Sequence, residues 1–419
     1  MIELYSWLNS IFDSLDRADV RWCLLRDETD LALPDGDVDL LVAPDDIPAA
    51  RLILTGHDLA QIPLRGGRAP AFWLGYDPSQ NYWLRLDVAS ELSYGRPDFP
   101  FVAGTAHGLL ARRQRGSGFW TLHPDDAFWA LLLHCLLDEH SVPAEYQGRL
   151  QDWARAGCTG GPLADFLAEV EPEPGFLERL VAAAAAGRWE SLADMGCQLA
   201  WSWHRRQPVA TRARQLAGRT RQVLDLPRVL RHRFGLGVAL LGPDGAGKST
   251  LAQGIGDTFH FPVRVVYMGL WQDRGGWWNR VPGLSLATRP ATIWYRYLLS
   301  LYHRAHGRLV IFDRYTYDAL LPPRPPLVWL KRVYFWLVAH SCPGPDLVLV
   351  LDAPPHVVRG RKDESDLPRL ELERRSFLDL PVAHLQVVDA SRDRDVVLAD
   401  VVSRIWQRYR SRPHGAAVT

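Results

Sequence analysis

Leu240-Leu241-Gly242-Pro243-Asp244-Gly245-Ala246-Gly247-Lys248-Ser249-Thr250 is the stretch whose reading decides the fold of the C-terminal half. From Gly242 to Ser249 it fits the phosphate-loop pattern G-x-x-x-x-G-K-[ST] in full. The apolar run Val238–Leu241 before it suits a buried strand. Ser249–Phe259 after it reads as a helix, with Leu251 and Ile255 at helical spacing. Glycines at 242, 245 and 247 let successive N–H groups turn inward on an anion, at the positive end of the new helix. Only three of the 48 basic residues are lysine: Lys248, Lys331 and Lys362. A chain that otherwise uses arginine keeps lysine where a flexible point charge suits a phosphate.

Composition bounds the rest. At 419 residues the chain has room for two or three domains. Apolar residues at 47% and charged residues at 23% are ordinary for a water-soluble globular chain. The 48 basic and 48 acidic residues cancel, which gives no bulk case for a nucleic-acid or membrane partner. Five scattered cysteines without a C-x-x-C pair fit buried thiols in a reducing compartment. The N-terminus lacks a basic-then-apolar signal pattern, and no uncharged apolar run approaches the roughly 18 residues that span a bilayer. The expected location is cytoplasmic.

Downstream of the loop, strands and helices alternate. Pro262–Tyr267 is a β-branched strand, and Ile293, Trp294, Tyr297, Leu298 and Leu301 trace a helix face. The apolar strand Leu309–Phe312 ends at Asp313-Arg314-Tyr315. Leu347–Leu351 ends at Asp352-Ala353-Pro354-Pro355, and Leu385–Val388 ends at Asp389-Ala390-Ser391. This pattern predicts an α/β domain with a parallel five-stranded sheet covered on both faces. A Trp- and Arg-rich stretch (Trp271, Trp277, Trp278) and a stiff Pro322–Pro326 loop interrupt it.

Together these residues resemble the thymidylate kinase family of P-loop nucleoside monophosphate kinases, over 235–412. The resemblance implies ATP and Mg²⁺ as cofactors. Gly242, Pro243, Asp244, Gly245, Ala246, Gly247, Lys248, Ser249 and Thr250 would cradle the nucleotide, with Ser391 near the adenine. Lys248 would reach the β- and γ-phosphates, and Ser249 and Asp313 would hold Mg²⁺. Asp244 would meet an acceptor hydroxyl and Arg314 its anionic group. The lid would run from Val357 to about Glu373, with Arg361 first and Arg359 second as the arginine that neutralises the migrating phosphoryl group. Two departures bear on the acceptor. Met268-Gly269-Leu270-Trp271 stands where the family has Arg-Glu-Pro-Gly. The family's aromatic-and-arginine pair for thymine is not recognisable in 289–305. The expected acceptor is a nucleotide or sugar-type small molecule, and a homodimer stays open.

The N-terminal part begins with an amphipathic helix on Leu4, Leu8, Ile11, Phe12 and Leu15, followed by a strand at Val20–Leu25. Asp37-Val38-Asp39 then opens a strand, where alternate residues share a face and a cation relieves the repulsion between the two carboxylates. A third carboxylate, Asp87, lies in the strand candidate Tyr82–Val88. Asp37, Asp39 and Asp87 could build a two-metal site. Residues 1–120 thus resemble the nucleotidyltransferase superfamily, an α+β fold, although Leu24-Leu25-Arg26-Asp27 replaces its Gly-Ser turn. Residues 121–203, opening at His123-Pro124-Asp125-Asp126, read as a helical region without a catalytic signature. Residues 204–234 are an Arg-rich linker without the interleaved aromatics that would point to nucleic acid. Three functions follow in order: a kinase, a nucleotidyltransferase with a regulatory P-loop domain, or a non-catalytic ATP switch.

Overall fold

A computed structural model describes residues 4–25, 31–62, 71–95, 99–116, 118–171, 173–217, 235–269, 284–321, 328–361 and 367–412. The chain divides into two units, 1–76 with 83–225, and 77–82 with 226–419. Arg26, the three tryptophans 271, 277 and 278, Pro322–Pro326, Lys362 and linker residues 218–234 lie outside the described residues.

In the first unit, α1 (Ser6–Arg17) precedes β1 (Trp22–Leu24) and β2 (Val38–Val42), then α2 (Ile47–Gly56). β3 (Ala60–Ile62), β4 (Ala71–Asp77) and β5 (Tyr82–Ala89) follow, with a small ribbon of β6 (Ser93–Tyr94) and β7 (Phe101–Val102). After α3 (Ala106–Ala111) come β8 (Gln114–Arg115) and β9 (Trp120–Thr121). The sheet order is β3-β4-β5-β2-β1-β9-β8, with β1 antiparallel to β2 and β2 parallel to β5. The strand expected at Val20–Leu25 is shorter, because Asp19 takes a left-handed turn and Val20 closes back on the helix end through its N–H to the Leu15 carbonyl.

The helical region of this unit is α4 (Pro124–Leu137), α5 (Ala144–Arg155), α6 (Pro162–Val170), α7 (Phe176–Ala185), α8 (Trp189–Arg206) and α9 (208–217). His123 caps α4, its ring nitrogen accepting from the Asp125 N–H at 3.3 Å. From Phe128 to Leu137 every residue of α4 is buried, the mark of a central helix. Cys23 and Leu41 of the sheet enter the same core as Phe128, Leu132, Leu180 and Trp203 of the helices. Sheet and helices of this unit are therefore built round one core.

The second unit carries β10 (Gly237–Leu241), α10 (Lys248–Thr258), β11 (Val263–Tyr267), α11 (Leu284–Ala305), β12 (Leu309–Asp313) and α12 (Val328–Ala339). β13 (Leu347–Asp352), α13 (Pro355–Arg361), α14 (Leu367–Leu378), β14 (Leu385–Asp389) and α15 (Arg394–Arg410) complete it. The order is β11-β12-β10-β13-β14, and each adjacent pair is parallel. The expected five-stranded parallel sheet is what forms. Its inner strands are unbroken apolar runs because both faces are covered. Ala239, Leu241, Val310, Phe312, Val348 and Val350 turn one face toward Ile293 and Tyr297 of α11 and Val338 of α12. On the other face α10 meets α15, where Leu398 lies against Gly254. The order reverses at β10, so the loop after it opens at the switch point where α/β sheets bind ligands.

The amino ends of these strands are tied by charge. Arg304, 2% exposed, donates to Asp346 at 2.7 Å, and the same carboxylate accepts the Gly237 N–H at 2.7 Å. Arg412, just beyond α15, pairs with the other oxygen of Asp346.

Candidate active site

The site grows from the loop after β10. Gly242 has φ +139°, and a Cβ there would stand 2.8 Å from the Leu351 carbonyl oxygen of β13. Only glycine fits. Gly247, at φ +93°, turns the chain into α10, whose first residue is Lys248. The Lys248 side chain, 7% exposed, folds back over the loop. Its Nζ donates to the carbonyls of Gly242 at 2.8 Å and Pro243 at 2.9 Å, and lies 3.7 Å from Asp244 Oδ1. Burial pulls the ammonium pKa down, nearby Arg314 adds to that, and the carboxylates of Asp244, Asp318 and Asp313 oppose it. Ser249 and Thr250 stand exposed at the mouth of the loop.

Strand register brings the second group of residues alongside. Asp313, last in β12, pairs with Leu240 of β10 and Tyr267 of β11, at the carboxyl edge of the sheet. Arg314 follows with φ +63°, a left-handed conformation that a non-glycine residue rarely takes, and its N–H donates to the Leu240 carbonyl at 3.2 Å. Its guanidinium bridges two carboxylates. One Nη donates to Asp318 at 3.1 Å and the other to Asp244 of the loop. Asp244 and Arg314, both assigned to the acceptor from sequence, therefore meet directly.

Three residues of this edge were missed by sequence reasoning. Asp318, in the short 3₁₀ turn Thr316–Leu320, has a carboxyl only 2% exposed. Burial raises its pKa, with Arg314 opposing. The four-residue spacing from Arg314 was a visible signal. Arg296 of α11, also buried, places its guanidinium 5.3 Å from the Tyr267 ring centre and 3.5 Å from the Gly269 carbonyl. An arginine–aromatic pair thus exists beside the strand end that carries Asp313, formed between a helix and a strand distant in sequence. Arg374 of α14 holds Asp352 at the end of β13, one of its Nη atoms 2.8 Å from Oδ2.

Other candidates are placed as follows. Arg359 is exposed on α13, and Arg361 ends that helix with its side chain outside the described residues. Ser391 turns back on Asp389, to which its N–H donates at 3.0 Å and its hydroxyl also donates. In the first unit Asp39 pairs with Asp87 across β2 and β5, while Asp37 lies just before β2 with Arg85 at 3.2 Å. Among the described residues no group of three or more His, Cys, Asp or Glu gathers as a metal site. Among them, too, no helix is long and apolar enough to cross a membrane.

No protein-family model matches the chain. Among curated proteins it is 32% identical over 215 residues to a thymidylate kinase of Xanthomonas euvesicatoria pv. vesicatoria (strain 85-10), covering 44% of this chain and 89% of that protein. A thymidylate kinase of Xanthomonas oryzae pv. oryzae (strain PXO99A) is 30% identical over 192 residues, covering 39% and 80%. Among solved structures, a thymidylate kinase from Candida albicans aligns at 18% identity with a TM-score of 0.33, covering 41% of this chain and 90% of that one. With a five-stranded parallel sheet, a phosphate loop at its switch point and a relative matched over nearly its whole length, the chain belongs to the thymidylate kinase family of P-loop nucleotide kinases.

Proposed function

We propose that the second unit transfers the γ-phosphoryl group of ATP, with Mg²⁺, to a small nucleotide- or sugar-type acceptor. The observation that carries this reading is the Arg314–Asp244 pair, which joins the nucleotide loop to the strand-end motif beside Asp313. The donor set suits a magnesium nucleotide. Glycine-permitted backbone, a buried ammonium, a hydroxyl and a carboxylate converge at one sheet edge. Bound there, Mg-ATP supplies the phosphoryl group together with a cation that neutralises its charge.

The chain's own groups do the rest. Lys248, now on the carbonyls of Gly242 and Pro243, would exchange them for phosphate oxygens, and Ser249 and Asp313 are the residues that would hold the metal. Arg314, anchored from below by Asp318, exchanges Asp244 for the acceptor's anionic group. Asp244 is then available to an acceptor hydroxyl. Arg359 and Arg361 on α13 are the lid cations of this reading. Arg296 over Tyr267 supplies further positive charge on the acceptor side. Because Met268 and Gly269 replace the family's thymidylate segment, dTMP is one acceptor to test among several. A cytoplasmic setting belongs to the same reading, supported by five cysteines that carry thiols rather than disulfides.

The test offers γ- and α-labelled ATP to wild type, Lys248→Ala and Asp39→Ala with a panel of nucleoside monophosphates and sugars. Transfer of the γ label that vanishes in Lys248→Ala supports the proposal. A second reading rests on the direct pairing of Asp39 with Asp87 in the first unit. Transfer of the α label that survives Lys248→Ala but not Asp39→Ala would move the chemistry there.

A further inference from the structure

The second unit holds a pocket of about 340 Å³ that shares no residue with the phosphate loop or with Asp313 and Arg314. Tyr317 enters it from the 3₁₀ turn after β12, and Trp336 from α12. His340, Cys342 and Gly344 come from the turn into β13, and residues 381–383 from the turn into β14. Its volume would hold roughly eleven waters at about 30 Å³ each. That lies at the lower end of the range of about 300–1,000 Å³ typical of small-molecule sites.

Two polar groups of the lining are unspent. The Tyr317 hydroxyl has no hydrogen-bond partner among the described residues. A Cβ at residue 344 would stand 2.8 Å from it, so glycine there keeps the space beside it open. His340 Nδ1 lies 2.8 Å from the Trp336 carbonyl oxygen. A carbonyl only accepts, so Nδ1 carries the proton and the neutral ring is left with Nε2 as an acceptor. The His340 and Trp336 rings lie 4.5 Å apart, their planes 31° from parallel.

The lining chooses the occupant. Among the described residues that form it there is no Lys, Arg, Asp or Glu, so a phosphate or carboxylate would be buried without a counter-charge. Three aromatic side chains favour a flat ring, and the imidazole acceptor calls for an N–H. We propose that this pocket binds a neutral, planar nitrogen heterocycle of nucleobase size, stacked on Trp336, with its polar edge toward His340 Nε2 and the Tyr317 hydroxyl. The proposal rests on the cavity alone and stands apart from the kinase reading.

Cys342, 5% exposed on the pocket wall, reports occupancy in the full chain. Its alkylation by iodoacetamide is followed by peptide mass spectrometry, with exposed Cys197 as internal control. Adenine at about 5 mM should slow alkylation of Cys342 roughly twofold or more and leave Cys197 unchanged, since about ten non-hydrogen atoms give millimolar or tighter binding. Cyclohexanol, which has no flat ring, and AMP, which carries a phosphate, should protect far less. Trp336→Ala, at a half-exposed position, should abolish the protection with an unchanged circular dichroism spectrum. A second measurement needs no thiol: saturation transfer from protein to adenine protons should be strong with wild type and weak with Trp336→Ala. Saturation transfer that is absent, or equal in the two proteins, would overturn the proposal. So would protection of Cys342 that survives Trp336→Ala or that cyclohexanol or AMP gives equally well.

Discussion

Lys248 is the residue on which the proposed chemistry most depends. Its buried ammonium is satisfied by two loop carbonyls, which a phosphate replaces in the proposed function, so Lys248→Ala should lower γ-phosphoryl transfer by at least ~100-fold. Single-turnover transfer from γ-labelled ATP measures this. Asp318→Asn tests the group beneath Arg314. Losing a charged hydrogen bond of about 1.5–3 kcal/mol should raise the acceptor KM by roughly tenfold or more and leave ATP binding near wild type. The same substitution carries a pH signature. Burial raises the folded-state pKa of Asp318 above its ordinary carboxylate value. Stability from this group is then fully present below that ordinary value and falls as pH rises through the raised one. Relative to Asp318→Asn, wild type should lose denaturation midpoint as pH increases from about 4 upward. A midpoint difference that does not change with pH would contradict this. Lys248, Ser249, Asp313 and Arg314 were legible because each belongs to a contiguous motif. Asp318 and Arg296 were not, because their roles arise from partners across a turn and across the sheet.

Elements were legible where burial imposes a simple pattern. β10, β12 and β13 read directly from the sequence because strands covered on both faces are unbroken apolar runs. The outer strands β11 and β14 are half-exposed, yet the expected spans Pro262–Tyr267 and Leu385–Val388 lie within one residue of Val263–Tyr267 and Leu385–Asp389. The chemistry of α11 and α14 was harder to see. Helical periodicity identifies a buried stripe, but it does not say that Arg296 reaches Tyr267 or that Arg374 grips Asp352. Packing between distant elements decides that. At this scale the Asp346 tie makes a stability prediction. Asp346→Ala leaves the buried Arg304 guanidinium without its carboxylate, a change expected to cost about 3–5 kcal/mol. Chemical denaturation followed by circular dichroism should show it, with ATP binding retained in the folded fraction.

For the whole molecule, the division of the chain into two units carries its own prediction. If the kinase chemistry belongs to the second unit, Asp39→Ala in the first should change γ-phosphoryl transfer by less than about twofold, because every group proposed for that chemistry belongs to the second unit. Label-transfer assays on the full chain decide this. The second unit also divides its charges by sheet edge. The amino ends of the strands hold Asp346 with Arg304 and Arg412, while the carboxyl ends hold Asp244, Asp313, Arg314 and Asp318 around the loop. One edge secures the fold and, in the proposed function, the other meets ligands. Sequence drift at the carboxyl edge can therefore explore new acceptors while the opposite edge keeps the domain folded. In a saturation library scored for both properties, heat-sensitive variants should cluster at one end of the strands and altered acceptor preference at the other. That separation makes the domain a scaffold on which acceptor specificity can diverge without first acquiring compensating stability.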